Sequence, residues 1–89
     1  MIACEIHDYV EIACTYRINV SLGFKSGEEI TGIAKDTCLN HLRQECIKLQ
    51  TEVGERVVPL DLLLSMKALD TNPHFKQIVF TKSSSFNVQ

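Results

Sequence analysis

No basic side chain precedes Arg17, although Glu5, Asp8 and Glu11 already stand in that stretch. Such a one-signed start attracts a basic partner and repels a phosphate backbone. Over the whole chain nine Lys and Arg stand against eleven Asp and Glu, for a net charge of −2 and a pI near 5.8. Strong general affinity for nucleic acid, which rests largely on Lys and Arg, is disfavoured by that balance. Long hydrophobic runs are also missing. The longest strongly apolar stretch, around Val57 to Leu64, contains Pro59 and Asp61 and is far too short to span a bilayer. The N-terminus shows no basic region followed by an apolar run and a small-residue cleavage site, so the expectation is a cytoplasmic protein.

The four cysteines, Cys4, Cys14, Cys38 and Cys46, include no C-x-x-C pair, which removes the tight spacing of a structural zinc knuckle. Nothing points to export, so a disulfide framework is not expected. His7, His41 and His74 are available as ligands, and Cys4 and His7 can share a helix face, but one such pair makes a poor metal site. Small buried thiols are the simpler reading, with no metal and no cofactor.

What is present is a folding pattern. Ile18, Val20, Leu22 and Phe24 alternate with Arg17, Asn19, Ser21, Gly23 and Lys25, the period of a half-buried strand. Ser26-Gly27 breaks the run, and Ile30, Gly32 and Ala34 resume it, which predicts a β-hairpin over Tyr16 to Asp36. Ahead of it, Glu5 to Tyr16 reads as an amphipathic helix. Ile6, Tyr9, Val10 and Ala13 share one face with Cys14 at its edge, and His7, Asp8, Glu11 and Thr15 share the other. After the hairpin, Thr37 to Glu45 loses its alternation and reads as a loop. Ile47, Leu49, Thr51 and Val53 then mark a third strand, and Arg56 to Leu60 a fourth. A fifth follows around Leu64 to Leu69, and a last one over Phe75 to Thr81 beyond the Asp70-Thr71-Asn72-Pro73 turn. The expected core comprises Ile18, Val20, Leu22, Ile30, Leu49, Val57 and Val79, with Ile6 and Val10 packed from the helix. With 89 residues there is room for one core. The expectation is a single domain over residues 1–82 and a mobile polar tail over 83–89.

A helix followed by five or six short strands suggests a small, strongly bent antiparallel barrel, mainly β within the α+β class. Within that class the hairpin is similar to the first Sm motif, with Gly27, Ile30, Gly32, Asp36 and Asn40 at its spacings. The later Arg-Gly element of Sm rings is missing, since the corresponding region reads SMKALDTN. A narrower likeness covers nearly the whole chain, from about Ile2 to Thr81. IACEIHDYVEIAC, a hairpin with KSGE at its turn, and VGERVVPLDLLLSMKAL together resemble the Rho-binding antiterminator family, also called Rof. Cys4, Asp8, Glu11, Ala13 and Cys14 stand in register with its helix pattern, whereas Thr37 to Gln44 departs from it.

That resemblance implies an Sm-like barrel capped by an N-terminal helix, and a protein that inhibits transcription termination by binding the hexameric factor Rho. The implied target is the primary RNA-binding region in the N-terminal part of each Rho subunit. The residues expected to meet it are Asp8 and Glu11, with Glu5, His7 and Thr15 beside them and Asn40, His41 and Arg43 as further contacts from the loop. Such a protein binds no nucleic acid and no membrane, and is a monomer when free. The alternative is an Sm-like RNA-binding module using Asp36 and Asn40, against which the missing Arg-Gly element and the negative charge both weigh. No nucleophile and base stand at a spacing that indicates an enzyme.

Overall fold

The computed structural model describes residues 4–80, with side chains from Ile6 onward. The tail expected over 83–89 lies outside the described residues. The chain runs through a helix α1 (Cys4–Thr15) and strands β1 (Asn19–Phe24), β2 (Glu29–Leu39), β3 (Glu45–Thr51) and β4 (Gly54–Pro59). A single 3-10 turn (Leu60–Leu62) then leads into β5 (Leu63–Ala68) and β6 (Gln77–Val79). The strands form one six-stranded sheet in the order β4-β3-β2-β1-β5-β6 with every neighbouring pair antiparallel. This is the expected α+β arrangement of one helix and six short strands. Among the described residues no ladder joins β4 to β6, so the hydrogen-bonded sheet is open. No helix among them is long and apolar enough to cross a membrane.

The strands wrap one core. Val20 and Leu22 of β1, Ala34 of β2, Ile47 and Leu49 of β3, Val58 of β4 and Leu63 and Met66 of β5 are all buried there. Val10, Ala13 and Cys14 of α1 close it from one side, and Phe75 and Phe80 flank β6. Tyr9 meets Phe75 edge-on with ring centroids 6.0 Å apart, which seats the helix on the segment before β6. The close approach of β2 and β3 depends on Gly32. A Cβ there would stand 2.5 Å from the Gln50 carbonyl oxygen and 2.9 Å from Leu49 Cγ, so only glycine lets β3 pass.

Two expected core residues face the other way. Val57 is 46% and Val79 48% exposed, while Val58, Ile78 and Phe80 turn inward. Each error is a phase slip of one residue in a run of consecutive apolar side chains, where alternation carries no information. Ile18, Val20, Leu22 and Leu49 are buried as expected, and Ile6 and Ile30 pack against the core from its margin. Val53 is 88% exposed because it belongs to the β3–β4 turn rather than to β3. In that turn the Thr51 hydroxyl donates to the Gly54 carbonyl (2.7 Å) and accepts from the Val53 amide (3.2 Å).

The segment read as a loop from Thr37 to Glu45 is strand at both of its ends. β2 continues to Leu39 and β3 starts at Glu45, leaving only residues 40–44 between them. The cause is a bulge. Register passes from Ala34 opposite Leu49 to Asp36 opposite Lys48, so Lys35 is an extra residue and the inward–outward phase inverts beyond it.

The end of α1 fixes how the helix meets the sheet. The Ile18 amide donates to the Ala13 carbonyl (2.9 Å) and the Arg17 amide to that of Cys14 (3.2 Å), the paired bonds of a Schellman stop. Ala13 and Ile18, the two residues such a stop brings together, are both buried. Arg17 occupies the left-handed position with φ 52°, where glycine is the usual residue. Arg17→Gly is therefore expected to stabilise the fold by about 0.5–1 kcal/mol, read as a higher urea midpoint at constant m-value. A lower midpoint would show that the arginine side chain contributes more than its backbone costs.

Candidate acidic docking site

α1 sets the site. Its sequence CEIHDYVEIACT places Val10, Ala13 and Cys14 inward, and at about 100° per residue Asp8, Glu11 and Thr15 must then point away. All three are exposed. Asp8 and Glu11, three residues apart, are neighbours on the helix surface, where like charges cost the helix roughly 0.2–0.5 kcal/mol. Nothing local relieves that cost, because α1 has no basic residue in its last turn and neither carboxylate has an ion-pair partner among the described residues. Glu11 also lies towards the negative end of the helix dipole. The helix thus keeps two carboxylates that its own stability does not require.

β2 supplies the opposite wall. Beyond the bulge its far half runs beneath α1, and two adjoining grooves open between them. One, of about 280 Å³, is lined by Glu11, Cys14, Thr15, Lys35, Asp36 and Thr37. The other, of about 200 Å³, is bordered by His7 and Glu45, with Cys38, Leu39 and the apolar Val10 and Leu60 beneath. Glu11 lines both, so it stands on the ridge between them.

The remaining expected residues divide by what they touch. His7 is half-buried and its Nε2 lies 2.8 Å from Glu45 Oε1, a bond that ties α1 to the start of β3. Glu5 sits in the first turn of α1, and its side chain lies outside the described set. Asn40 is engaged in shaping its loop. Its Oδ1 accepts from the Leu42 amide (2.9 Å) and the Gln44 amide (3.0 Å), and its Nδ2 donates to Gln44 Oε1 (2.9 Å). His41 and Arg43 are exposed on the same loop, with Arg43 in the left-handed region at φ 63°. That loop leaves from Leu39 and returns at Glu45, both of which line the second groove. The structure therefore brings Glu11, Thr15 and His7 to one groove system and sets the loop at its His7 end.

Lys35, Cys38 and Glu45 were not among the expected site residues, and Asp36 was expected only for the alternative of RNA binding. They fall within the segment whose alternation the bulge disrupts, and the β-forming run Thr37-Cys38-Leu39 was the signal that could have extended the strand. At the other end of α1, the exposed Tyr16 stacks on His74 with centroids 4.5 Å apart and planes 22° from parallel. That stack fixes the helix end against the β5–β6 connection.

Cys14 forms part of the floor of the first groove. Burial, then the nearby charges of Asp36 and Glu11, push its thiol from the ordinary value of 9.0 up to about 11, with Arg17 opposing. A folded-state value above the unfolded one means a contribution fully present below pH 9 and lost as pH rises towards 11. Two pH units of displacement correspond to at most about 2.7 kcal/mol, reduced by solvent screening at the open groove. Urea midpoints measured between pH 8 and pH 10.5 should fall more steeply for the parent than for Cys14→Ala. Parallel pH profiles would show that the thiol is not held neutral by the fold.

A family model described as modulator of Rho-dependent transcription termination (ROF) matches residues 1–80. A solved structure of YaeO bound to magnesium, from Vibrio cholerae O395, is similar at a TM-score of 0.80 and 44% sequence identity. The match covers 83% of this chain and 96% of that one. Among curated proteins, none matches.

Proposed function

Because the chain belongs to the ROF family of modulators of Rho-dependent transcription termination, we propose that it inhibits termination by docking its acidic helix face on Rho and blocking RNA loading. The observation that carries this reading is the exposed pair Asp8 and Glu11, unpaired among the described residues and raised on a helix anchored by Val10, Ala13 and Cys14. The surface they address is the primary RNA-binding region in the N-terminal part of each Rho subunit. An RNA-binding cleft presents cations for phosphates and aromatic platforms for bases. Carboxylates held on a rigid helix take the phosphate positions, and complementary charge speeds encounter. Thr15 extends the same stripe, and Glu5 and His7 flank it, with His41 and Arg43 reaching the partner from the loop. The protein acts in the cytoplasm as a monomer when free.

RNA binding by the chain itself gains no support from the Sm-like positions. Asn40 is spent on its loop, and Asp36 Oδ1 accepts from the Thr37 amide at 2.8 Å. The test is a titration of Rho from the same organism with this protein, in the presence and absence of pyrimidine-rich RNA. Mutual exclusion is the expected result, with affinity falling as salt rises because the attraction is screened. A stable complex of Rho, RNA and this protein together would overturn the proposed mechanism.

A further inference from the structure

Cys38 and Cys46 are direct partners in the β2–β3 ladder. Opposed residues of an antiparallel pair project to the same face, with Cα atoms about 4.5–5.5 Å apart, which lies inside the span a disulfide bridges. Both thiols are free. Their surroundings differ in a useful way. Cys38 is half-buried and lines the second groove, so a small reagent can reach it. Cys46 is fully buried but stands apart from the main core cluster, beside the residue 40–44 loop, and its Sγ lies 3.4 Å from the Gln44 carbonyl oxygen as a donor.

From this register we propose that Cys38 and Cys46 form a redox pair, in which Cys38 is the thiol oxidised first and Cys46 resolves it into a cross-strand disulfide. Hydrogen peroxide is a sufficient oxidant. The Cys38 thiolate attacks one peroxide oxygen, the O–O bond breaks, and the departing hydroxide takes up the proton released by Cys38 to leave as water. The Cys38 sulfenic acid is then attacked by the Cys46 sulfur. The S–S bond forms, the S–O bond breaks, and the leaving hydroxide carries off the Cys46 proton as a second water. Burial, and then the facing charge of Cys38, hold the Cys46 thiol above its ordinary value, with a hydrogen bond from the Asn40 backbone opposing, so Cys46 is suited to the second step rather than the first.

The bond is a reversible one. Opposed Cβ atoms stand about 4.5–5.5 Å apart and a disulfide requires about 3.5–4.5 Å, so the strands must draw together to close it. Disulfides closed against such resistance are the reducible ones, as suits a compartment in which thiols are otherwise kept reduced. The proposal is independent of any partner, because it concerns bond formation within the free chain.

The experiment treats the purified, folded, full chain with hydrogen peroxide, then alkylates remaining thiols and digests with trypsin without reductant. Cleavage after Lys35, Arg43 and Lys48 separates the peptide Asp36–Arg43 from Gln44–Lys48. The expected product is an intact mass lower by two hydrogens and these two peptides joined, separating again with reductant. In Cys46→Ser, oxidation should stop at a Cys38 sulfenic acid that dimedone traps. In Cys38→Ser, Cys46 should remain alkylatable only after unfolding. Recovery of the two peptides unlinked from the oxidised parent, or a native-state link between any other cysteines in their place, would overturn the assignment.

Discussion

Asp8→Lys combined with Glu11→Lys is expected to weaken binding to Rho by roughly 30-fold or more, since breaking desolvated charge pairs at an interface costs about 2–5 kcal/mol. The fold should survive. Both side chains are exposed and unpaired among the described residues, and the double reversal replaces one like-charged pair by another at the same spacing. The dipole effects also offset, because a cation suits position 11 near the helix end and is unfavourable at position 8 nearer its start. Asp8→Asn with Glu11→Gln should weaken binding less, as hydrogen bonds survive the loss of charge. Calorimetric titration of parent and variants, after circular dichroism shows equal helix content, makes the comparison. Equal affinities would remove the acidic face from the mechanism and direct attention to His41 and Arg43.

The fold was legible wherever one face of an element is buried and the other wet. Alternation from Ile18 to Phe24, and the helical spacing of Val10, Ala13 and Cys14, each encode a single orientation, and both elements stand where that spacing puts them. Legibility failed where geometry interrupts the period. The extra residue at Lys35 inverts the phase of β2, so a strand reading stopped short of Leu39 and the groove wall carrying Asp36, Cys38 and Glu45 went unseen. Runs such as Val57-Val58 and Ile78-Val79-Phe80 hide their phase for a different reason, since every member is apolar and only the partner strand chooses which turns inward. The His7–Glu45 bond joins residues 38 positions apart and no local pattern could have announced it. Asp8 and Glu11 were readable because helix periodicity alone fixes an outward face.

Val20→Asp is expected to unfold the domain. Val20 is fully buried in β1, paired with Gly32 on one side and Ala68 on the other, and no charged side chain among the described residues is buried to meet a carboxylate there. Desolvating an unpaired charge costs more than the stability a domain of this size commonly possesses, of the order of 5–10 kcal/mol, even if the carboxyl escapes by taking up a proton. Val20→Ala should remain folded at a cost of about 1–3 kcal/mol, the loss of methyl groups and the space they filled. The matching substitution Val57→Asp separates burial from strand membership. Val57 lies on the outer face of the edge strand β4, opposite Lys48, so an aspartate there stays in water near a cation and should shift stability by less than about 1 kcal/mol. Urea unfolding of the three variants reads the order directly. A folded Val20→Asp, or a Val57→Asp that is as damaged, would mean that the sheet packs its core through the opposite faces of these strands.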